Sequence, residues 1–198
     1  MVAHSKNVRE RRADLLMIDE AGLLMAPLVR KSWSKRGSPP CLFQRARHRE
    51  KVSVIGALWL SPVEKRLKLS YGTIAGGYYD GGRVATFVES LVAQTSRPVV
   101  IVWDGGNMHK GPAIRSMLSR VGERLWLERL PPYAPMLNPV EGVWSWLKYS
   151  RLNNYAPANA TELDRRIRIE LDVATKDFEL LRGFWKKSEL PDPLTLLT

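Results

Sequence analysis

Residues 99–104 read Val-Val-Ile-Val-Trp-Asp, an almost unbroken apolar run that stops on an acid. A strand with no polar side is buried on both faces, so helices must cover its sheet from both sides. Residues 14–20, DLLMIDE, form another apolar run closed by two acids and read as a first strand. VSVIGALWL (52–60) and KRLKLSYG (65–72) flank a Ser-Pro turn and read as an antiparallel hairpin. Apolar residues then recur at helical spacing over 82–95 and 110–121, with RLWLERL (124–130) as a fifth strand. Asn138-Pro139 opens a third helix running to about Ser150, and a last helix is expected over 161–184. A strand, a hairpin and then alternating helices and strands predict an α/β chain with a mixed five-stranded sheet flanked by helices, in the order of a ribonuclease H-like fold. Residues 1–13 read as a basic arm, 14–185 as the domain and 186–198 as a tail.

Three carboxylates fall where a sheet-edge site would need them. Asp19 is expected to end the first strand, Asp104 ends the fourth, and Glu141 lies in the first turn of the third helix. Carboxylates are hard oxygen ligands for Mg²⁺ or Mn²⁺. A pair of such ions about 3.5–4 Å apart activates a nucleophile and stabilises the leaving oxygen of a phosphodiester. Each acid also has a plainer reading. Asp104 precedes Gly105-Gly106 and suits a turn, and Asp19 with Glu20 suits a solvated strand terminus. Asn138-Pro139-Val140-Glu141 has the spacing of a capping box, with Glu141 closing it.

The surrounding residues carry a family resemblance. LPPYAPMLNPVEGVWSWLK (130–148) resembles the stretch around the last acid of bacterial insertion-sequence DDE transposases related to mariner elements, through Tyr133, Pro135, Leu137, Asn138, Pro139, Glu141, Trp144 and Lys148. DEAGLLMAPLVRKSWSKRGSPP (19–40) and IVWDGGNMHK (101–110) resemble the blocks around the first and second acids, and 36 residues separate Asp104 from Glu141. Gly105 departs from the Asn that the family often has there; Asn107 stands two positions further on. The resemblance, spanning roughly residues 14–150, implies a DDE endonuclease catalytic domain with two Mg²⁺ (or Mn²⁺) ions on Asp19, Asp104 and Glu141. It implies cleavage at element ends and joining of 3′-hydroxyls to target DNA, on a homodimer assembled with DNA. Full-length relatives carry a helix-turn-helix region before the first acid. Only 18 residues precede Asp19, so the chain is expected to be a catalytic domain alone, a fragment, or one product of a split reading frame whose other product carries that region. The alternatives are a ribonuclease H-like nuclease without strand transfer and a truncated or decayed fragment that binds DNA without turnover.

Charge agrees with a polyanionic partner: 31 Lys and Arg against 20 Asp and Glu give +11. Arg30, Lys31, Lys35 and Arg36 around Trp33 form a candidate DNA grip, continued by Arg45, Arg47 and Arg49. The plainer reading is a solvated loop with Trp33 in the core. His109, Lys110 and Lys148 are further candidates for DNA contact; His109 also fits proton transfer or a surface loop, and Lys148 an idle surface position. Trp144 is expected to pack and fix its helix. No apolar run approaches the roughly 18 residues of a membrane span, no signal core stands at the N-terminus, and Cys41 is the lone cysteine. A cytoplasmic, nucleoid-associated bacterial protein is expected.

Overall fold

The computed structural model describes residues 12–26, 28–42, 50–106 and 109–193. Arg45, Arg47, Arg49 and Asn107 lie outside them, as do most of the expected arm and part of the expected tail. Five strands form one sheet: β1 (Asp14–Leu24), β2 (Lys51–Ser61), β3 (Arg66–Ala75), β4 (Val99–Trp103) and β5 (Leu125–Arg129), in the spatial order β3-β2-β1-β4-β5. β1, β2 and β3 pair antiparallel, whereas β1–β4 and β4–β5 are parallel. The expected ribonuclease H-like architecture is what forms.

Among the described residues five α-helices cover the sheet: α1 (Gly81–Val92), α2 (Pro112–Val121), α3 (Val140–Trp146), α4 (Ala160–Thr175) and α5 (Phe178–Lys186). Side chains alternate across a strand, so β1 feeds two cores. Leu15 and Met17 join Val143, Trp144, Ile167 and Phe184 of α3, α4 and α5 on one face. Leu16 and Ile18 join Val84, Val88, Ile114 and Met117 of α1 and α2 on the other. All five residues of β4 are buried, as its apolar run requires.

Two expectations are corrected. The last helix is two, because Asp177 accepts from the Leu180 amide at 2.9 Å and starts a new helix. Asp19 does not end β1, which continues to Leu24 paired with Lys51. What ends near Asp19 is the parallel neighbour: β4 stops at Trp103. After α3 the chain continues as a π turn over Leu147–Arg151. Among the described residues no helix is long and apolar enough to cross a membrane.

Candidate active site

Strand register brings the first two acids together. Met17 pairs with Val102 in the parallel β1–β4 ladder. Two residues further on, Asp19 and Asp104 therefore stand side by side on the face that carries α3. α3 supplies Glu141 from its first turn. The three carboxylates line one cleft of about 520 Å³, with Gly105, Gly106, Asn138 and the Leu130–Pro135 loop forming the rest of its wall.

α3 is held at this place by two side chains. Asn138 donates from Nδ2 to the Ile18 carbonyl at 3.1 Å and accepts on Oδ1 from the Val140 amide at 3.2 Å. One residue thus binds the first amide of the helix and ties it to β1 beside Asp19. Trp144, 1% exposed, donates its indole N–H to Asp19 Oδ2 at 2.9 Å. It packs against Gly56, the cross-strand partner of Asp19; a Cβ there would stand 2.8 Å from the indole. Gly56 is what lets the ring come this close. Trp144 therefore packs as expected, but it also fixes a site carboxylate. The capping-box role for Glu141 does not form: its side chain is exposed and makes no hydrogen bond among the described residues, and the first amide of the helix, at Val140, goes to Asn138.

Asp104 is oriented from the other face. One carboxylate oxygen accepts from the Gly106 amide at 2.8 Å and faces His109 Nδ1 at 2.8 Å. A Cβ on Gly106 would come within 2.9 Å of that oxygen. Nε2 of His109 faces Glu20 Oε1 at 3.1 Å, and the ring stacks on Trp103 with centroids 4.3 Å apart. Glu20 points away from Asp19 because neighbouring strand residues face opposite ways. At 4% exposure, with both nitrogens engaged, His109 is withdrawn from DNA. The expectation of DNA contact there gives way to a positioning role for Asp104. Neither Glu20 nor the indole of Trp144 is singled out by local sequence, since both links cross the fold.

The electrostatics follow from this crowding. Burial pushes the Asp19 carboxyl up to about 7 from the usual 3.8, and the charges of Glu141, Glu20 and Asp104 push the same way against the Trp144 hydrogen bond. Burial draws His109 down, but the Glu20 hydrogen bond and the charges of Glu20 and Asp104 outweigh it and raise its pKa. A bound cation would relieve this cost of ionisation, and the carboxylates are the hard oxygen donors that Mg²⁺ or Mn²⁺ prefers. Among the described residues no three ligating side chains are already disposed as a metal cage. Asp104 has one oxygen committed to His109 and Gly106.

The cationic candidates stand apart from the cleft wall. Arg30, Lys31, Lys35 and Arg36 are exposed, and Trp33 is 101% exposed, which overturns a core position for that ring. The base of their connection is pinned: Arg30 N–H donates to Asn154 Oδ1 at 2.8 Å, and its guanidinium lies over Tyr149. Lys110 is exposed beside His109, and Lys148 is half-buried in the π turn.

A family model described as DDE superfamily endonuclease matches residues 14–164, from the start of β1 into α4. Among solved structures, a pre-cleavage Mos1 transpososome superposes with a TM-score of 0.65 at 16% identity, covering 99% of this chain and 59% of that one. The mariner Mos1 paired end complex with Mg gives 0.62 at 14%, covering 94% and 57%. The catalytic domain of Mos1 mariner transposase gives 0.53 at 14%, covering 99% and 87%. The chain spans under two thirds of the Mos1 chain in those two complexes. At such identities the likeness speaks for the fold. No curated protein matches the chain by sequence.

Proposed function

The chain belongs to the DDE superfamily endonucleases, matched over residues 14–164, and from that premise we propose that it is the metal-dependent catalytic domain of a DNA transposase. The observation that supports this most is the shared cleft: Asp19 from β1, Asp104 after β4 and Glu141 from α3 line one wall-to-wall groove. Those three residues would hold Mg²⁺ or Mn²⁺, two ions in the full site. Bound there, the metal would lower the pKa of a water or 3′-hydroxyl and neutralise the leaving oxygen of a phosphodiester. The protein's own part is orientation. Trp144 fixes Asp19, His109 and Gly106 fix Asp104, and Asn138 fixes the helix carrying Glu141. Because the displacement is in-line at phosphorus, no Ser or Tyr nucleophile is needed.

The DNA would be the element's ends and its target. The Mos1 structures include a complex with a left transposon end and others with Mg and Mn. Arg30, Lys31, Lys35, Arg36, Lys110 and Lys148, with Trp33 as an aromatic platform, are the proposed backbone contacts. A homodimer on DNA, a helix-turn-helix DNA-binding part, and a bacterial cytoplasmic setting on the nucleoid complete the proposal. The domain itself would run over residues 14–185, between a basic arm and a short tail.

The test is plasmid nicking with Mg²⁺ or Mn²⁺, with and without EDTA, for the natural chain and for Asp104→Asn. Nicking is expected only for the natural chain with metal, and nicking that survives both treatments refutes the metal mechanism. Joining of a pre-cut end to a target plasmid separates transposase from a simple nuclease. Salt-sensitive DNA binding with no cutting would instead mark a non-catalytic fragment.

A further inference from the structure

The loop that closes the cleft opposite the acids holds a tyrosine in an expensive position. Tyr133 has φ 58°, in the left-handed region that bulky side chains rarely enter. Its ring is 99% exposed and makes no hydrogen bond or ring contact among the described residues. Nothing in the fold uses the ring, and glycine would take the same backbone conformation without the steric cost. The loop nonetheless restricts the backbone that carries the ring. Leu130 donates its amide to the Trp103 carbonyl, at 2.8 Å, next to Asp104. Pro131, Pro132 and Pro135 restrict the chain around it. Backbone strain held in this way at the wall of a cleft points to a ligand contact.

We propose that Tyr133 is a stacking platform for a DNA base next to the phosphodiester held at Asp19, Asp104 and Glu141. This rests on the nucleic-acid reading above and sharpens it. A ring can stack only on a base with one face free, so the preferred substrate carries an unpaired or terminal nucleotide beside the scissile bond. Every base offers a π face, so the contact selects strand structure and leaves sequence unread.

The experiment compares two probes bound by the whole chain with Ca²⁺ in place of Mg²⁺. One is a duplex with a short unpaired 3′ overhang carrying 2-aminopurine, and the other is the same duplex closed into hairpins at both ends by base-free glycol linkers, which leave no unpaired base. The natural chain and Tyr133→Phe should bind the overhang probe more tightly and quench its 2-aminopurine. Tyr133→Ala and Tyr133→Gly should lose the quenching and about 5- to 150-fold of overhang affinity, with hairpin affinity unchanged. Tyr133→Gly should melt no lower than the natural chain, which separates lost stacking from lost folding. Quenching retained by the Ala and Gly variants overturns the platform, as does a Phe variant that behaves like Ala. If the natural chain binds both probes equally well, the stacking role alone fails. If it binds neither, the nucleic-acid reading fails and takes the proposal with it.

Discussion

Replacing Asp19 with Asn should stabilise the metal-free protein at neutral pH while abolishing cleavage. The Asp19 carboxyl titrates near 7 in place of 3.8, because burial strips it of water and because Glu141, Glu20 and Asp104 repel its charge. An acid whose pKa rises on folding is held protonated by the native state. Its stability contribution is fully present below about pH 4 and is lost as pH rises through about 7. At about 1.4 kcal/mol per pH unit, the gap from 3.8 to about 7 sets a ceiling of about 4 kcal/mol. Solvent reaching this half-buried group brings the expected loss to about 2 kcal/mol. Asparagine has the shape of the neutral acid, keeps an oxygen for the Trp144 N–H, and never ionises. Urea denaturation in EDTA at pH 4 to 8 should show the natural chain losing about 2 kcal/mol relative to the variant. The two should converge near pH 4. His109 and the other titrating groups are common to both chains and largely cancel in the difference. Mg²⁺ should restore the natural chain and leave the variant unchanged. A difference that does not vary with pH, or a variant less stable at pH 8, would refute the reasoning.

Three other substitutions probe the supports of the site. Trp144→Phe removes the N–H from Asp19 Oδ2, a bond to a charged group of about 1.5–3 kcal/mol. The acidic limb of the metal-dependent nicking profile should move up by about one to two pH units, and an unmoved limb would deny the indole its role. Gly56→Ala places a methyl 2.8 Å from Trp144 and should cost about 1–3 kcal/mol in chemical denaturation; combined with Trp144→Phe, most of that cost should vanish, and strict additivity would count against the contact. His109→Ala releases Asp104 and should weaken Mn²⁺ binding, read by titration calorimetry, by about 10- to 100-fold. DNA affinity measured without metal should hold, since the ring is buried; a parallel fall in DNA affinity would restore a direct contact.

Much of the fold is written in apolar patterning. β4 could only be a doubly covered strand, and the hairpin of β2 and β3 announces itself through alternation and a Ser-Pro turn. The break at Asp177 was missed because the apolar stripe of α4 resumes in α5 with almost no gap, and only the cap residue marks the boundary. Asp19 read as a strand end because the apolar run stops at Ile18. The strand in fact continues as long as β2 can pair with it, a tertiary fact. Motif context points to the three carboxylates that line the cleft. It could not find Glu20 behind His109, or the indole of Trp144 against Asp19, since each link joins residues about 90 to 125 positions apart. Trp33 shows the opposite failure: a large aromatic residue favours burial by default, and this one stands in solvent.

The dipeptide Asp19-Glu20 explains why the site depends on both layers of the fold. Successive strand residues face opposite sides, so Asp19 meets Trp144 on the α3 layer while Glu20 meets His109 on the α1–α2 layer. Through His109 the second contact comes back to Asp104. The two aspartates are thus set by different cores, joined only at the edge where β4 stops and β1 continues. A shift of either helical layer against the sheet would move one carboxylate relative to the other. The proposed metal pair would tolerate little such movement, because its ligands would have to sit within a few tenths of an ångström of their bonding distances. The buried supports of Asp19 and Asp104 are therefore the places where a substitution that spares stability should still suppress chemistry.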